Sequence, residues 1–363
     1  MDFTFSDEQE ALRRAVRSFL ADRSPAAHVA AMEHDPAGIT PAVWEQIVEL
    51  GLTGLLVPEA NGGSGAGLVD MAVVMEEMGR VPFPGPFLSS GVLATLAAKH
   101  LGLDDQLASL AAGTTRGTVA IEERGTGDPV TRVRTRAIRK AGRWRLTGEK
   151  PIVLDGHTAD WALVVARAEH GIGTFLLEAP AAELVPSWDV TRKVTRLELD
   201  RREAVPVGPD RDQTRLWQRI VDDANVAICA ELIGSMEAAF ELAVEYAKVR
   251  VQFDRPIATF QAIKHKAADM LHRLELARVG THYAAWASDA DDPVRAEAAA
   301  MAKAYVAEAA TFVAGESIQI HGGVGFTWDC AAHLHYRKAK QADLLLGYQG
   351  WQRQRLADLI LTA

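Results

Sequence analysis

The sequence predicts a mostly helical α+β fold: an N-terminal helical domain, a middle antiparallel β domain and a C-terminal four-helix bundle. Three observations carry this. Apolar residues recur at helical spacing through the first ~113 residues, and short β-rich runs fill the stretch to about Pro209. Long apolar helical stripes then resume near Leu216. The expected domains are 1–113, 114–210 and 211–363. A chain of 363 residues, 48% hydrophobic and 24% charged, has the makeup of a globular protein of two or three domains.

The first helix opens at Ser6, where Gln9 completes a capping box, and Leu12, Val16 and Phe19 mark its buried face. Thr40-Pro41 places a hydroxyl before a first-turn proline, and Gly51 ends that helix in the left-handed region. The run Val57–Gly65 is a loop, because its proline and glycines disfavour both regular structures. A further helix runs from about Val69 to Met78 and stops at Gly79, and Pro82, Pro84 and Pro86 keep the next stretch extended. Strands are expected at 118–121, 131–138, 144–147, 152–154, 161–166, 174–177 and 194–199, forming a small antiparallel sandwich or barrel. Leu232, Met236, Phe240, Ala243 and Ala247 form one apolar stripe, broken by Arg250–Pro256. A second helix spans Phe260 to about Ser288, a third ends at the glycines 322, 323 and 325, and a fourth follows.

Several functions are disfavoured. A net charge of −9 lacks the basic footprint of a nucleic-acid binder. No apolar run approaches the ~18 residues a membrane span needs. Met1–Glu8 is acidic where a signal peptide is basic and then apolar. Cys229 and Cys330 are the only cysteines, which predicts no disulfide scaffold and a reducing cytoplasm. His333 and His335 do not share a helix face, and His265 and His272 have no nearby ligand partner, so no metal site is expected. No Gly-x-Ser-x-Gly or Ser/His/Asp arrangement suggests a hydrolase.

Two stretches have the chemistry of nucleotide recognition. In Arg250–His265, Arg250 offers a planar fork for phosphate oxygens, Phe253 an aromatic face, and Gln252 and Gln261 amide groups. In Gln319–Thr327, Gly322, Gly323 and Gly325 leave the backbone N–H groups open to a phosphate chain. Singly, these read as core aromatics, helix stops and a solvated charge. Together they form an ordered pair of motifs on matching helices. With Val57–Gly65 and the order of domains, they resemble the acyl-CoA dehydrogenase family of flavoproteins along essentially the whole chain.

The resemblance implies FAD-dependent α,β-dehydrogenation of an acyl-CoA thioester, in which a carboxylate removes the α-proton as hydride leaves the β-carbon for the flavin. It implies a tetramer, with Arg250, Gln252, Phe253, Gln261, Gln319, Gly322 and Gly323 gripping the ADP half of a neighbouring subunit's FAD, and an electron-transferring flavoprotein as acceptor. The family base is a glutamate just before a glycine, and Leu346 stands there before Gly347. The alternative base position lies 29 residues before Phe253, and Ala224 stands there beside Asn225. The loop over the flavin is reduced to Glu123–Asp128, the strand beside the flavin reads Pro151-Ile152-Val153, and Gly347–Gly350 departs from the family's cofactor motif.

Residues serving a neighbour's cofactor are kept while those serving this chain's own redox site are lost. This predicts a partner subunit of a heteromeric acyl-CoA dehydrogenase of bacterial steroid or lipid breakdown. A self-sufficient dehydrogenase or oxidase with a displaced base, such as Asp223, and a non-catalytic acyl-CoA-binding or assembly protein are the alternatives. Asp222, Asp223 and Glu231 are otherwise read as surface or ion-pair residues, Trp351 as packing, and Arg353 as a possible partner anchor.

Overall fold

A computed structural model describes residues 5–362, so Met1–Thr4 of the acidic N-terminal run lie outside the described residues. Six helices come first: α1 (Asp7–Arg23), α2 (Ala26–His34), α3 (Pro41–Glu49), α4 (Leu68–Arg80), α5 (Thr95–Leu101) and α6 (Asp104–Ala111). The capping box forms, with Ser6 Oγ accepting from Gln9 N at 3.2 Å and Gln9 Oε1 accepting from Ser6 N at 3.0 Å. Gly51 takes φ +71°, as a helix stop requires, whereas Thr40 caps α3 without a side-chain hydrogen bond.

Gly79 does not end α4. It sits where α4 crosses the first bundle helix: a Cβ there would lie 1.9 Å from the Glu231 carbonyl oxygen, and a Cβ at Gly234 would lie 1.8 Å from that of Glu76. The two glycines let the backbones touch. The proline-rich stretch is also shorter than expected, because Phe87–Ala94 winds into a fully buried π-helix that leads into α5.

The β domain comprises β1 (Gly117–Ala120), β2 (Arg136–Lys140), β3 (Arg143–Leu154), β4 (Trp161–Ala168), β5 (Gly171–Glu178), β6 (Glu183–Val185) and β7 (Val194–Val207). Strands β2, β3, β7, β5 and β4 pair in that order, and β4 closes the ring on β2 through Arg136 and Arg167. The barrel is antiparallel at β2–β3, β3–β7, β4–β5, β5–β7 and β6–β7. The expectation of an antiparallel domain is corrected at two places, where β1 and β2 each run parallel to β4. Residues 131–135 are not strand, because Glu123 takes the N–H groups of Arg134 and Thr135 at 2.6 and 2.9 Å.

The bundle holds α7 (Thr214–Val249), α8 (Gln261–Asp289), α9 (Arg295–His321), α10 (Ala332–Leu344) and α11 (Gln349–Thr362). The expected fourth helix is thus two, broken at Leu345–Tyr348. A large core joins the N-terminal helices to α7, α8 and α9, and a second fills the barrel. The parts are fastened by directed bonds. Trp217 Nε1 of α7 donates to Thr174 Oγ1 of β5 at 2.7 Å, and Asp289 at the end of α8 caps α4 by accepting from Leu68 N and Val69 N at 2.7 and 2.9 Å. No helix among the described residues is long and apolar enough to cross a membrane.

Candidate functional site: a sealed cavity and an exposed bundle end

Leu346 and Ala224, far apart in sequence, line one cavity. Its other walls are Leu88 and Leu93 of the π-helix, Val119 of β1, Ile121 and Glu122 just after it, Ile152 and Leu154 of β3, Ile228 of α7, and Leu345. Only about 20 Å³ remains open inside it. That is room for about one water and none for an acyl chain.

The seal is pinned from three elements. Leu346 has φ +54°, a strained value for a branched side chain, and it is buried. Its N–H donates to Glu122 Oε1 at 2.7 Å, and its carbonyl accepts from Asn225 Nδ2 at 3.0 Å. Lys303 of α9, fully buried, donates from Nζ to the carbonyls of Ala342 and Leu345 at 2.5 and 3.1 Å. Burial pushes the Glu122 carboxyl above its ordinary range, against the pull of its ion-pair partner Arg132 and the Leu346 N–H. Glu122 and Lys303 were missed by sequence reasoning. Lys303 carries a faint signal, as a lone cation inside an alanine-rich helical run. Glu122 carries none that separates it from Glu123.

On the far side of Ile152 and Leu345 lies a larger cavity of about 590 Å³, lined by Pro151, Trp188, Tyr336, Lys340, Gln341 and Leu344 among others. This is the side on which the resemblance places a flavin ring. Pro151 offers no N–H there, and the substrate side of Ile152 is filled. The chain's own residues therefore do not fit a flavin that faces a substrate.

Asp223 does not line the sealed cavity. It accepts from Ser288 Oγ, lies 3.3 Å from His100 Nε2, and pairs with Arg219 at 3.2 Å. Burial raises its carboxyl, but these partners outweigh that and hold it below the ordinary range. Asp222 accepts from both terminal guanidinium nitrogens of Arg355. Glu231 lies between Arg192 and Lys338, which hold it at about 2 despite complete burial. All three are structural anchors with their acceptors occupied. Arg353 pairs with Glu308 within the chain, and Arg355 lies over the Trp351 ring. Among the described residues, no three His, Cys, Asp or Glu side chains gather as a metal site.

At one end of the bundle the grip residues are all exposed: Arg250, Gln252, Phe253, Gln261, Gln319, Gly322 and Gly323. Val251–Gln252 and Arg255–Pro256 form a two-residue hairpin, β8 and β9, with Phe253 and Asp254 at its tip. Both tip residues have positive φ, +52° and +62°. A turn of that twist suits the strands and is tolerated by Asp254 but strains Phe253. Phe253 is 86% exposed and lies edge-on to Phe260 at 6.1 Å, itself covered by Arg255. The glycine turn is brought to the same end by a ring stack, Tyr246 of α7 on His321 of α9 at 4.5 Å. Tyr246 lies one turn before Arg250, and His321 directly precedes Gly322. Gly322 has φ +64° and ψ −140°, open only to glycine. These residues thus gather on one exposed end of the bundle.

Residues 6–133 match the family described as acyl-CoA dehydrogenase, N-terminal domain, and residues 215–361 match acyl-CoA dehydrogenase, C-terminal domain. Acyl-CoA dehydrogenase IpdE2 of Mycobacterium tuberculosis is 34% identical over 344 residues, covering 94% of this chain and 93% of that protein. The chain belongs to the acyl-CoA dehydrogenase family. Among solved structures, a Tcur3481-Tcur3483 steroid ACAD variant matches with TM-score 0.89 at 31% identity, covering 98% of both chains. The ChsE4-ChsE5 complex from Mycobacterium tuberculosis matches with TM-score 0.90 at 28% identity, covering 100% of both chains. Within this flavoprotein family, the sealed cavity and the exposed bundle end are the two features that need a functional account.

Proposed function

We propose that this chain is the subunit without a catalytic base in a heteromeric, FAD-dependent acyl-CoA dehydrogenase. The observation that carries this is the cavity holding both base positions, filled by Leu346, Leu93, Ile228 and Ile152 down to about 20 Å³. A subunit so closed has no place for a thioester beside a flavin of its own. Its exposed bundle end would close the nucleotide half of a partner's FAD: Arg250 on phosphate oxygens, Phe253 over a ring face, Gln252, Gln261 and Gln319 as amide contacts, and Gly322 and Gly323 as open backbone. The bound FAD supplies the hydride acceptor, and the partner supplies the carboxylate.

The two similar solved structures are each named as a pairing of two chains, and one as a steroid enzyme, which supports a ring-containing acyl-CoA of steroid or lipid catabolism as substrate. Electrons would leave to an electron-transferring flavoprotein. Two free cysteines support a reducing, cytoplasmic setting. The self-sufficient alternative with Asp223 as base finds no support, since that carboxylate is held by His100, Arg219 and Ser288 away from the cavity.

Visible absorbance separates the readings. The chain purified alone should be colourless, and should become yellow with flavin when co-expressed with a homologous base-bearing subunit. A yellow chain that bleaches with acyl-CoA unaided overturns the proposal in favour of self-sufficiency. A colourless product in both preparations overturns it in favour of an assembly role.

A further inference from the structure

The β2–β3 ribbon carries a charge pattern that the cofactor reading does not use. Between Asp128 and Glu149 the chain has seven basic residues and no acidic one, within a protein of net charge −9. Arg132 turns inward to Glu122, and Arg143 and Arg145 face Glu203 at 3.1 and 3.3 Å. Arg134, Arg136, Arg139 and Lys140 are exposed, and their side chains make no hydrogen bond or ion pair among the described residues. Strand alternation puts Arg136, Ile138 and Lys140 on one face, opposite Thr147, Arg145 and Arg143. Ile138 lies at the centre of this face, 59% exposed. Beyond Arg136, β2 has no strand partner on its other side, so its backbone there is an open edge. At the hairpin tip a notch of about 400 Å³ opens between Arg143 and Arg202.

Four unmatched cations on so short a segment repel one another, and a partner bearing carboxylates relieves that repulsion. Ile138 and the four unpaired cations are exposed, whereas small-molecule sites enclose most of their ligand. Its one large aromatic, Trp144, is tilted against Phe175 at 5.3 Å, so it offers no free ring for stacking bases. An apolar centre ringed by arginine has the makeup of a protein contact, and the guanidinium fork matches a carboxylate. We propose that the β2–β3 ribbon docks an acidic protein segment, with its carboxylates on Arg136 and Lys140 either side of Ile138 and on Arg134 and Arg139 beside that face. This is independent of the cofactor reading and uses a different domain.

The test is fluorescence anisotropy of a labelled ten-residue Asp/Glu peptide with a central leucine, titrated with the full chain or its complex. Wild type should bind, more weakly as salt rises. The triple variant R136E/R139E/K140E should lose roughly tenfold or more, three exposed pairs each being small. Ile138→Thr should weaken binding about twofold to fivefold with the salt dependence unchanged. Because these side chains are exposed, melting temperatures should stay at the wild-type value, which separates lost docking from lost folding. Equal peptide binding by wild type and the triple variant overturns the proposal. So does ribbon-dependent binding to duplex DNA or phosphatidylserine vesicles that is tighter than binding to the peptide.

Discussion

Glu122 accepts the backbone N–H of Leu346 at 2.7 Å, joining the segment after β1 to the turn after α10. The bond fixes to the β domain the residue that the family resemblance sets at the base position. Leu346 is therefore both without a proton acceptor and held in place.

Leu346→Gln should leave turnover of the assembled dehydrogenase within about twofold of wild type, since no proton is transferred there. It should still lower stability by about 1–3 kcal/mol, because an amide enters an apolar wall. Steady-state rates and thermal melting check the two halves separately, and a large loss of turnover at unchanged flavin content contradicts the sealed-site reading.

Arg250→Ala should release FAD from the co-expressed complex while the melting temperature of the chain alone is unchanged. Arg250 is exposed, and only its backbone groups hold structure, through Tyr246 O at 2.9 Å and Ile257 N at 2.8 Å. Flavin-to-protein absorbance is the measurement. Retained stoichiometric FAD counts against the grip.

Gly79→Ala and Gly234→Ala should each destabilise by about 3 kcal/mol or more, since the new Cβ meets a backbone oxygen rather than a yielding side chain. Chemical denaturation checks this. A half-buried helix control such as Gly280→Ala, with nothing near its Cβ, should be neutral or stabilising.

Glu231→Gln removes the carboxylate between buried Arg192 and Lys338 and should cost about 3–5 kcal/mol. Its pH dependence has a definite sign. The folded carboxyl sits at about 2, below its ordinary 4.5, so the stabilisation is present above pH 4.5 and is lost as pH falls toward 2. Unfolding free energies of wild type and variant should converge across that window.

Asp155 has the opposite sign. Burial raises it to about 6, although Ser89 donates to it at 2.6 Å, so its contribution is present below pH 3.8 and lost as pH rises through 6. Asp155→Asn should therefore be stabilising at pH 8, by on the order of 1–3 kcal/mol, and near neutral at pH 4. Denaturant melts at the two pH values test it.

The helical periodicity, the capping box at Ser6 and the breaks at Gly51 and Arg250–Pro256 were legible in the sequence, because they depend on neighbours within a few residues. The residue types at 346, 224, 250–261 and 319–323 are likewise given by the sequence, while the roles assigned to them follow from the family resemblance. Gly79 shows where this ends. Locally it is a helix stop, but the carbonyl of Glu231, distant in sequence, makes it a crossing point. Only the tertiary structure decided that Leu346 and Ala224 share one filled cavity, that Glu122, Asn225 and Lys303 pin it, and that Asp223 is held elsewhere. Those outcomes rest on burial and on contacts between segments separated by many residues, which composition and periodicity do not encode.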